Sequence, residues 1–149
     1  MRAVVQRVNI SSVIVEGQIV GSIKAGLNVL LGVEEGDSLQ DVDYMAEKIV
    51  NLRIFEDADE KMNHSLLDIK GEMLCISQFT LMGDCRKGRR PNFMSAAKPD
   101  LANTLYEAFV KKVESYQIHV QTGQFQAHMI VDIQNDGPVT VLVDSRKVF

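Results

Sequence analysis

The sequence predicts an α+β fold that has a mostly antiparallel sheet and two main helices. β-branched and apolar runs lie near both ends of the chain, and two segments between them repeat apolar residues at helical spacing. Strands and helices grouped in this way are typical of the α+β class rather than of alternating βαβ units. The chain has 149 residues, and we expect a single domain over residues 1–149 because this length can bury an adequate core.

The N-terminal part is predicted to form short strands at residues 2–8 and within residues 13–33. The sequence Glu16-Gly17-Gln18 lies between two short apolar runs, as a hairpin turn would. The run at 28–33 is almost entirely apolar, which indicates a buried strand.

Two helices are predicted from their start signals and their apolar spacing. Ser38 with Asp41 indicates a helix N-terminus, because the serine hydroxyl can accept a hydrogen bond from a free backbone N–H group. The apolar face of this helix would consist of Leu39, Val42, Met45, Ala46, Ile49 and Val50. Pro99-Asp100 marks the second helix, whose apolar face would consist of Leu101, Leu105, Ala108, Phe109 and Val113.

The remaining strands are predicted at residues 72–77, 127–133 and 139–143. The last two are joined by Asn135-Asp136-Gly137-Pro138, and a Gly-Pro pair between strands usually marks a turn. A cis bond between Gly137 and Pro138 would indicate a more specific role, because only about 5–6% of X–Pro bonds in folded proteins are cis.

Composition excludes several classes of protein. The sequence begins without a signal-peptide pattern and has no apolar run of membrane-helix length, so we expect a cytoplasmic protein without a membrane partner. Cys75 and Cys85 do not make a disulfide framework or a zinc pattern, and both are predicted to be free thiols. His64, His119 and His128 share no ligand spacing, so no metal site is expected.

One basic segment differs from the rest of the chain, whose net charge is −4. Arg86, Lys87, Arg89 and Arg90 lie within five residues, around Gly88. The overall acidic charge argues weakly against a nucleic-acid partner, because positive charge is the usual mark of such proteins. The segment is therefore either a solvated loop or a phosphate contact on an otherwise acidic surface.

The segment Ser77-Gln78-Phe79-Thr80 places two hydroxyls and an amide just after an apolar strand. Taken alone, it is more typical of a strand end whose side chains satisfy nearby backbone groups. The sequence contains no Ser-His-Asp order and no GxSxG motif, and a hydroxyl without a base is a poor nucleophile.

Five segments, taken in order, carry a resemblance to a known family. They are Met1-Arg2-Ala3-Val4-Val5-Gln6-Arg7-Val8, Asn51-Leu52-Arg53-Ile54-Phe55, SQFTL at 77–81, RKGRRP at 86–91 and NDGPVT at 135–140. In this order and spacing the chain closely resembles the D-aminoacyl-tRNA deacylases, also called D-tyrosyl-tRNA deacylases, from residue 1 to about 145.

The resemblance implies a barrel-like core and a homodimer with two active sites at the subunit interface. In each site Ser77, Gln78, Phe79 and Thr80 would form one wall and carry the catalytic role. Gly137 and Pro138 of the partner would form the chirality filter through a cis bond, and Arg7 would help to hold that motif. Arg86, Lys87, Arg89 and Arg90 would bind tRNA, and no metal or organic cofactor is expected.

The expected function is hydrolysis of the ester in D-aminoacyl-tRNA, and of glycyl-tRNA mischarged on tRNA-Ala, with rejection of the L forms. The expected partners are the aminoacylated 3′ end of tRNA and a second copy of the chain, but not DNA. Because the neighbouring 2′-hydroxyl already activates the ester, positioning and oxyanion donors such as the Phe79 and Thr80 N–H groups could suffice. Two alternatives stay open: an RNA-binding module without activity, and a hydrolase of another acyl ester with Thr80 as a covalent nucleophile.

Overall fold

The central strand of the fold is β1, Arg2–Val15, in a computed structural model that describes residues 1–149. The other elements are β2 (Gln18–Ile23), β3 (Gly26–Gly32), α1 (Leu39–Val50), β4 (Phe55–Glu56), β5 (Met62–His64), β6 (Glu72–Ser77), a 3₁₀ helix (Phe79–Met82), α2 (Pro99–Glu114), β7 (Val120–Thr122) and β8 (Ile130–Asp144). The predicted α+β class with two main helices is confirmed.

The large sheet has the order β2-β1-β3-β6-β7, and β8 pairs with β1 as well. β1 pairs antiparallel with β2, β3 and β8, whereas β6 runs parallel to both β3 and β7. The two ends of this order come together, since a Cβ atom on Gly21 of β2 would lie 2.7 Å from the carbonyl oxygen of Thr122 in β7. Glycine therefore allows the sheet to curve into a nearly closed barrel.

Both helices pack over the sheet and complete the main core, which includes Met45 and Ile49 of α1, Phe109 of α2 and Leu27 of β3. The predicted start of α1 is confirmed, because the Ser38 hydroxyl accepts a hydrogen bond from the Gln40 N–H and the Asp41 carboxylate accepts one from the Ser38 N–H. α2 begins at the predicted proline.

The predicted hairpin turn joins β1 and β2. Glu16 has φ +49° and Gly17 has φ +78°, and two successive positive φ values are the mark of a two-residue type I′ turn. Between the predicted strands at 2–8 and 13–15, however, β1 continues without a break, so the prediction of separate strands was wrong there. Because β8 pairs with β1 along nearly its whole length, the polar residues Asn9, Ser11 and Ser12 are held in one strand.

The prediction of two C-terminal strands joined by a turn was also wrong. β8 is one strand of 15 residues, and both of its halves pair with β1. Val8 pairs with Asn135 and Gln6 pairs with Thr140, so residues 136–139 bulge out opposite the single residue Arg7. The chain does not reverse here, because β1 is long enough to pair with both halves while the extra residues leave the ladder.

Both cysteines are free, as predicted. Cys75 is buried in β6, and burial raises the pKa of its thiol to about 12, although the Tyr106 hydroxyl beside it acts in the opposite direction. Cys85 is exposed.

Neither α1 nor α2 has the length and the apolar character that a membrane-spanning helix requires. No three His, Cys, Asp or Glu side chains are grouped as metal ligands would be.

Candidate active site

The turn that follows β6 carries the candidate catalytic residues. Ser77 ends the strand opposite Leu31 of β3, and the Gln78 N–H donates to the Leu31 carbonyl oxygen at 2.8 Å. The chain then enters the 3₁₀ helix Phe79–Met82, which closes with a hydrogen bond from the Gly83 N–H to the Thr80 carbonyl oxygen at 3.0 Å. Phe79 and Thr80 begin the helix, so no earlier turn of it can accept their N–H groups.

The side chains of this turn provide hydrogen-bonding groups but no base. The Gln78 side-chain amide donates a hydrogen bond to the Thr80 hydroxyl oxygen. A carboxamide cannot take up the proton of that hydroxyl at neutral pH, so this contact orients Thr80 without activating it as a nucleophile. Ser77 and Gln78 are half-buried, whereas Phe79 and Thr80 are exposed.

A cleft of about 610 Å³ lies beside the turn. Ser77, Gln78 and Phe79 line it, together with the start of α2 at Ala97, Pro99 and Ala102, and with the segment 125–129 that leads into β8. Most of the lining side chains are apolar. The structure therefore brings three of the four predicted catalytic residues to one cleft, while Thr80 lies on the same turn outside its lining.

The Gly137–Pro138 bulge, residues 136–139, is held by Arg7 from inside the protein. The peptide bond between Gly137 and Pro138 is cis, and both residues are exposed. The Arg7 side chain is only 6% exposed, and its Nε donates to the Asp136 carbonyl oxygen at 3.2 Å. Its Nη1 donates to the Ile54 carbonyl oxygen at 2.8 Å.

Two carboxylates complete the surroundings of Arg7. Its Nε lies 3.2 Å from Asp136 Oδ2, and its Nη1 lies 3.6 Å from Glu56 Oε1. Gly137 has φ +115°, and a Cβ atom there would lie 2.9 Å from Val139 Cγ2 and 3.1 Å from Arg7 Nη2. Only glycine therefore fits at this position, both for its backbone conformation and for the space beside the guanidinium. Neither Arg7 nor the bulge lines the cleft of its own chain.

The basic segment forms a hairpin, residues 84–92, that is closed by mutual backbone hydrogen bonds of 2.8 and 2.9 Å between Asp84 and Asn92. All four cationic side chains are exposed, but Arg86 pairs with Asp84 within the hairpin, with 2.7 Å between Nη2 and Oδ2. Hydrogen bonds from Arg86 lower the pKa of Asp84 to about 2. One of the four predicted tRNA contacts is thus already compensated by an acidic neighbour.

The turn after β6 leads directly into the basic hairpin. The ring of Phe93, which follows the hairpin, contacts the ring of Phe79 edge to face, with 5.3 Å between the centroids and 67° between the planes. Phe79 is 56% exposed, so part of this aromatic pair faces solvent. The hairpin and the turn after β6 therefore belong to one surface.

Sequence reasoning missed the part of the cleft that residues 125–129 form. Phe125, His128 and Met129 line it although they lie more than 40 residues after Ser77 in the chain. It also missed Tyr106 of α2, whose hydroxyl donates to the Cys75 carbonyl oxygen at 2.7 Å and whose ring contacts Phe125 at 6.3 Å between centroids. No local motif marks these residues, because their grouping depends on how α2 and β8 pack against β6.

Comparison with known proteins places this chain among enzymes that remove amino acids from tRNA. A family model described as D-Tyr-tRNA(Tyr) deacylase matches residues 4–144. The chain belongs to this family, and both the predicted family and the predicted enzyme class are confirmed.

Individual relatives agree with the family match. The D-aminoacyl-tRNA deacylase of Clostridioides difficile (strain 630) is 62% identical over 149 residues, which span the whole of both chains. A solved structure described as "c-Myc DNA Unwinding Element Binding Protein" is 40% identical, with a TM-score of 0.91 over 97% of this chain and 98% of that chain. A solved structure of a probable eukaryotic D-amino acid tRNA deacylase, 16% identical, has a TM-score of 0.79 over 95% of this chain and 97% of that chain, which shows a shared fold.

We expect Arg7→Lys to destabilise the protein, because an ammonium group cannot reach the Ile54 and Asp136 carbonyl oxygens together as the planar guanidinium does. The free energy of unfolding, measured by urea denaturation, should fall by about 1–3 kcal/mol. The matched control is Arg53→Lys, since Arg53 is exposed and makes a single side-chain hydrogen bond, to Asn63. Its effect should stay within about 0.5 kcal/mol. Equal effects of the two changes would contradict a special role of Arg7.

Proposed function

We propose that this protein hydrolyses the ester between a D-amino acid and the terminal ribose of tRNA, and that it rejects the L forms. The observation that carries this proposal is the juxtaposition of the turn after β6 with an apolar cleft, in a chain of the D-Tyr-tRNA(Tyr) deacylase family. The cleft suits the terminal nucleotide, whose base has apolar faces that pack well against Phe79 and Phe125.

Catalysis in this proposal relies on positioning and on backbone donors. The N–H groups of Phe79 and Thr80 point away from any helical acceptor and are free to bind a developing oxyanion. Ser77, Gln78 and the Thr80 hydroxyl orient the ester, and the 2′-hydroxyl of the substrate assists the reaction. The hydrogen bond from the Gln78 amide to the Thr80 hydroxyl supports an orienting role for Thr80 rather than a covalent one.

The site is completed by a second copy of the chain. The Gly137–Pro138 bulge is exposed and does not line its own cleft, so a role in the site requires that another chain present it. β8 pairs with β1 on one side and with no strand on the other. Ile10, Ile130 and Leu142 on these two strands are each more than half exposed, at 53%, 55% and 56%. An open strand edge with exposed apolar side chains is typical of a surface that a partner covers.

In this proposal the D and L forms are distinguished at the α-carbon of the amino acid. Backbone groups of the Gly137–Pro138 bulge, held by Arg7, would bind the amino group and occupy the space that an L side chain needs. Such exclusion rejects every L residue without a pocket for any particular D side chain. Glycine has no side chain to exclude, so its ester should pass the same filter.

We expect D-Tyr-tRNA, D-Asp-tRNA and glycyl-tRNA, including glycine mischarged on tRNA-Ala, to be hydrolysed while L-Tyr-tRNA and L-Asp-tRNA are spared. The measurement is single-turnover deacylation of matched D and L esters on the same tRNA. Comparable rates for the two forms would overturn the chirality filter. Tight tRNA binding without any hydrolysis would indicate an RNA-binding module instead.

Thr80→Ala should lower the single-turnover rate by about 10²-fold or less, because backbone donors remain. A covalent nucleophile would lose about 10⁴–10⁶-fold. The paired measurement uses a substrate that ends in 2′-deoxyadenosine, which should react slowly with the unmodified protein. Near-total loss in the variant, together with normal turnover of the deoxy substrate, would make Thr80 the nucleophile.

Sedimentation should give about twice the 16.6 kDa mass of the chain. Ile130→Arg should shift the protein toward monomers and abolish deacylation, because a charged side chain on the covered face disfavours the pairing. Leu39→Arg is the matched control, since Leu39 is 62% exposed at the start of α1 and belongs to neither β1 nor β8. A fully active monomer would contradict a site that is shared between subunits.

Replacing Lys87, Arg89 and Arg90 by alanine should weaken binding of all tRNAs alike and should flatten its salt dependence. The slope of log affinity against log salt should fall by about 0.9 per lost duplex contact, or about 0.7 per single-strand contact. Arg86→Ala should change the slope less, because Asp84 already compensates this charge. An unchanged slope in the triple variant would mean that the basic hairpin is only a solvated loop.

A further inference from the structure

The cleft beside the turn after β6 contains a single ionisable side chain, that of His128. The other lining side chains are apolar or are the neutral polar groups of Ser77, Gln78 and Gln126. A nucleotide that enters this cleft brings a base with apolar faces, but it also brings a ribose and a negatively charged phosphodiester. The apolar side chains can pack against the base. Among the lining residues, only His128 has an ionisable side chain that can bind the charged phosphate.

The surroundings of His128 leave its imidazole free to bind a ligand. His128 is exposed and has no hydrogen-bond or ion-pair partner within the chain. It follows a turn in which the Ala127 N–H donates to the Gln124 carbonyl oxygen at 3.1 Å, and it lies between the cleft-lining residues Ala127 and Met129. His119, by contrast, lies outside the cleft and has its Nε2 3.1 Å from the side-chain amide nitrogen of Gln121.

We propose that His128 is a substrate-binding residue that contacts the phosphodiester on the 5′ side of the terminal adenosine of tRNA. An imidazole can donate a hydrogen bond to a phosphate oxygen in either protonation state, and it adds a positive charge when protonated. The inference rests on the proposed function, since it assumes that the cleft takes the end of a tRNA. It adds a polar anchor in the cleft to the basic hairpin, which binds phosphates farther along the RNA.

A binding role for His128, rather than an acid–base role, is indicated by the element to which this residue belongs. The proposed oxyanion donors and the orienting Thr80 hydroxyl belong to the turn after β6, whereas His128 belongs to the segment 125–129 that leads into β8. Its loss should therefore weaken the binding of substrate and leave the chemical step largely unchanged. In kinetic terms, KM should rise while kcat at saturation stays within about twofold.

The test compares two deacylated tRNAs, one with an intact 3′ end and one that lacks the terminal adenosine and its 5′ phosphate. His128→Ala, which removes the donor, should raise the Kd for intact tRNA by about threefold to tenfold, the loss expected for one hydrogen bond. For the shortened tRNA the same change should have less than a twofold effect, because the contact is already gone. His128→Lys, which restores a donor and a positive charge, should recover most of the affinity for intact tRNA.

His119→Ala is the matched control and should leave both Kd values unchanged. Equal losses on the two tRNAs, or no loss on either, would overturn the assignment of His128 to the terminal phosphodiester. A collapse of kcat with an unchanged Kd would overturn it in favour of an acid–base role. Deacylation by the unmodified protein is measured in parallel: if that activity is absent, the proposed function fails, whereas an active protein with a silent His128→Ala change contradicts only this inference.

Discussion

The guanidinium of Arg7 lies inside the protein, where its charge and its N–H groups must find partners. A buried and unpaired cation would be strongly destabilising, so the backbone around Arg7 is arranged to supply acceptors. Those acceptors are the carbonyl oxygens of Ile54 and Asp136, with the carboxylates of Asp136 and Glu56 beside them. One side chain therefore ties β1, the start of β4 and the Gly137–Pro138 bulge to each other.

The position of the Gly137–Pro138 bulge depends on these contacts of Arg7. Arg7 holds the carbonyl of Asp136 at the point where β8 stops pairing with β1. The pairing resumes a few residues later, and the strand keeps the same direction. The bulge then presents backbone groups at the surface in a defined place. Backbone groups carry no rotamer freedom, so an anchored bulge holds its hydrogen-bonding groups more rigidly than a set of side chains would.

The turn after β6 likewise presents backbone groups and few reactive side chains. It has a neutral amide on a hydroxyl and two N–H groups at the start of a 3₁₀ helix, and no base lies next to Thr80. Such a site suits an ester that carries its own neighbouring hydroxyl, since little more than positioning and oxyanion binding is then required. The position of this turn depends on the core, where the buried Tyr106 hydroxyl of α2 bonds the Cys75 carbonyl oxygen two residues before Ser77.

Local sequence determined the features that depend on local interactions. The capping pair Ser38 and Asp41 and the turn at Glu16-Gly17 followed from a few adjacent residues, and the order of the motifs was sufficient for the family. β4, β5 and β7 were not predicted, because strands of two or three residues are too short to show a periodic pattern.

Only the tertiary structure decided how distant residues combine. The Gly-Pro pair at 137–138 predicts a turn when it is taken alone, and it is a bulge because β1 is long enough to pair on both sides of it. The sequence places no partner beside Arg7, and packing brings Asp136 to it. Packing also brings His128 and the turn after β6 to the same cleft. Contacts between residues that lie tens of positions apart arise from strand pairing and helix packing, and no short segment of the chain encodes them by itself.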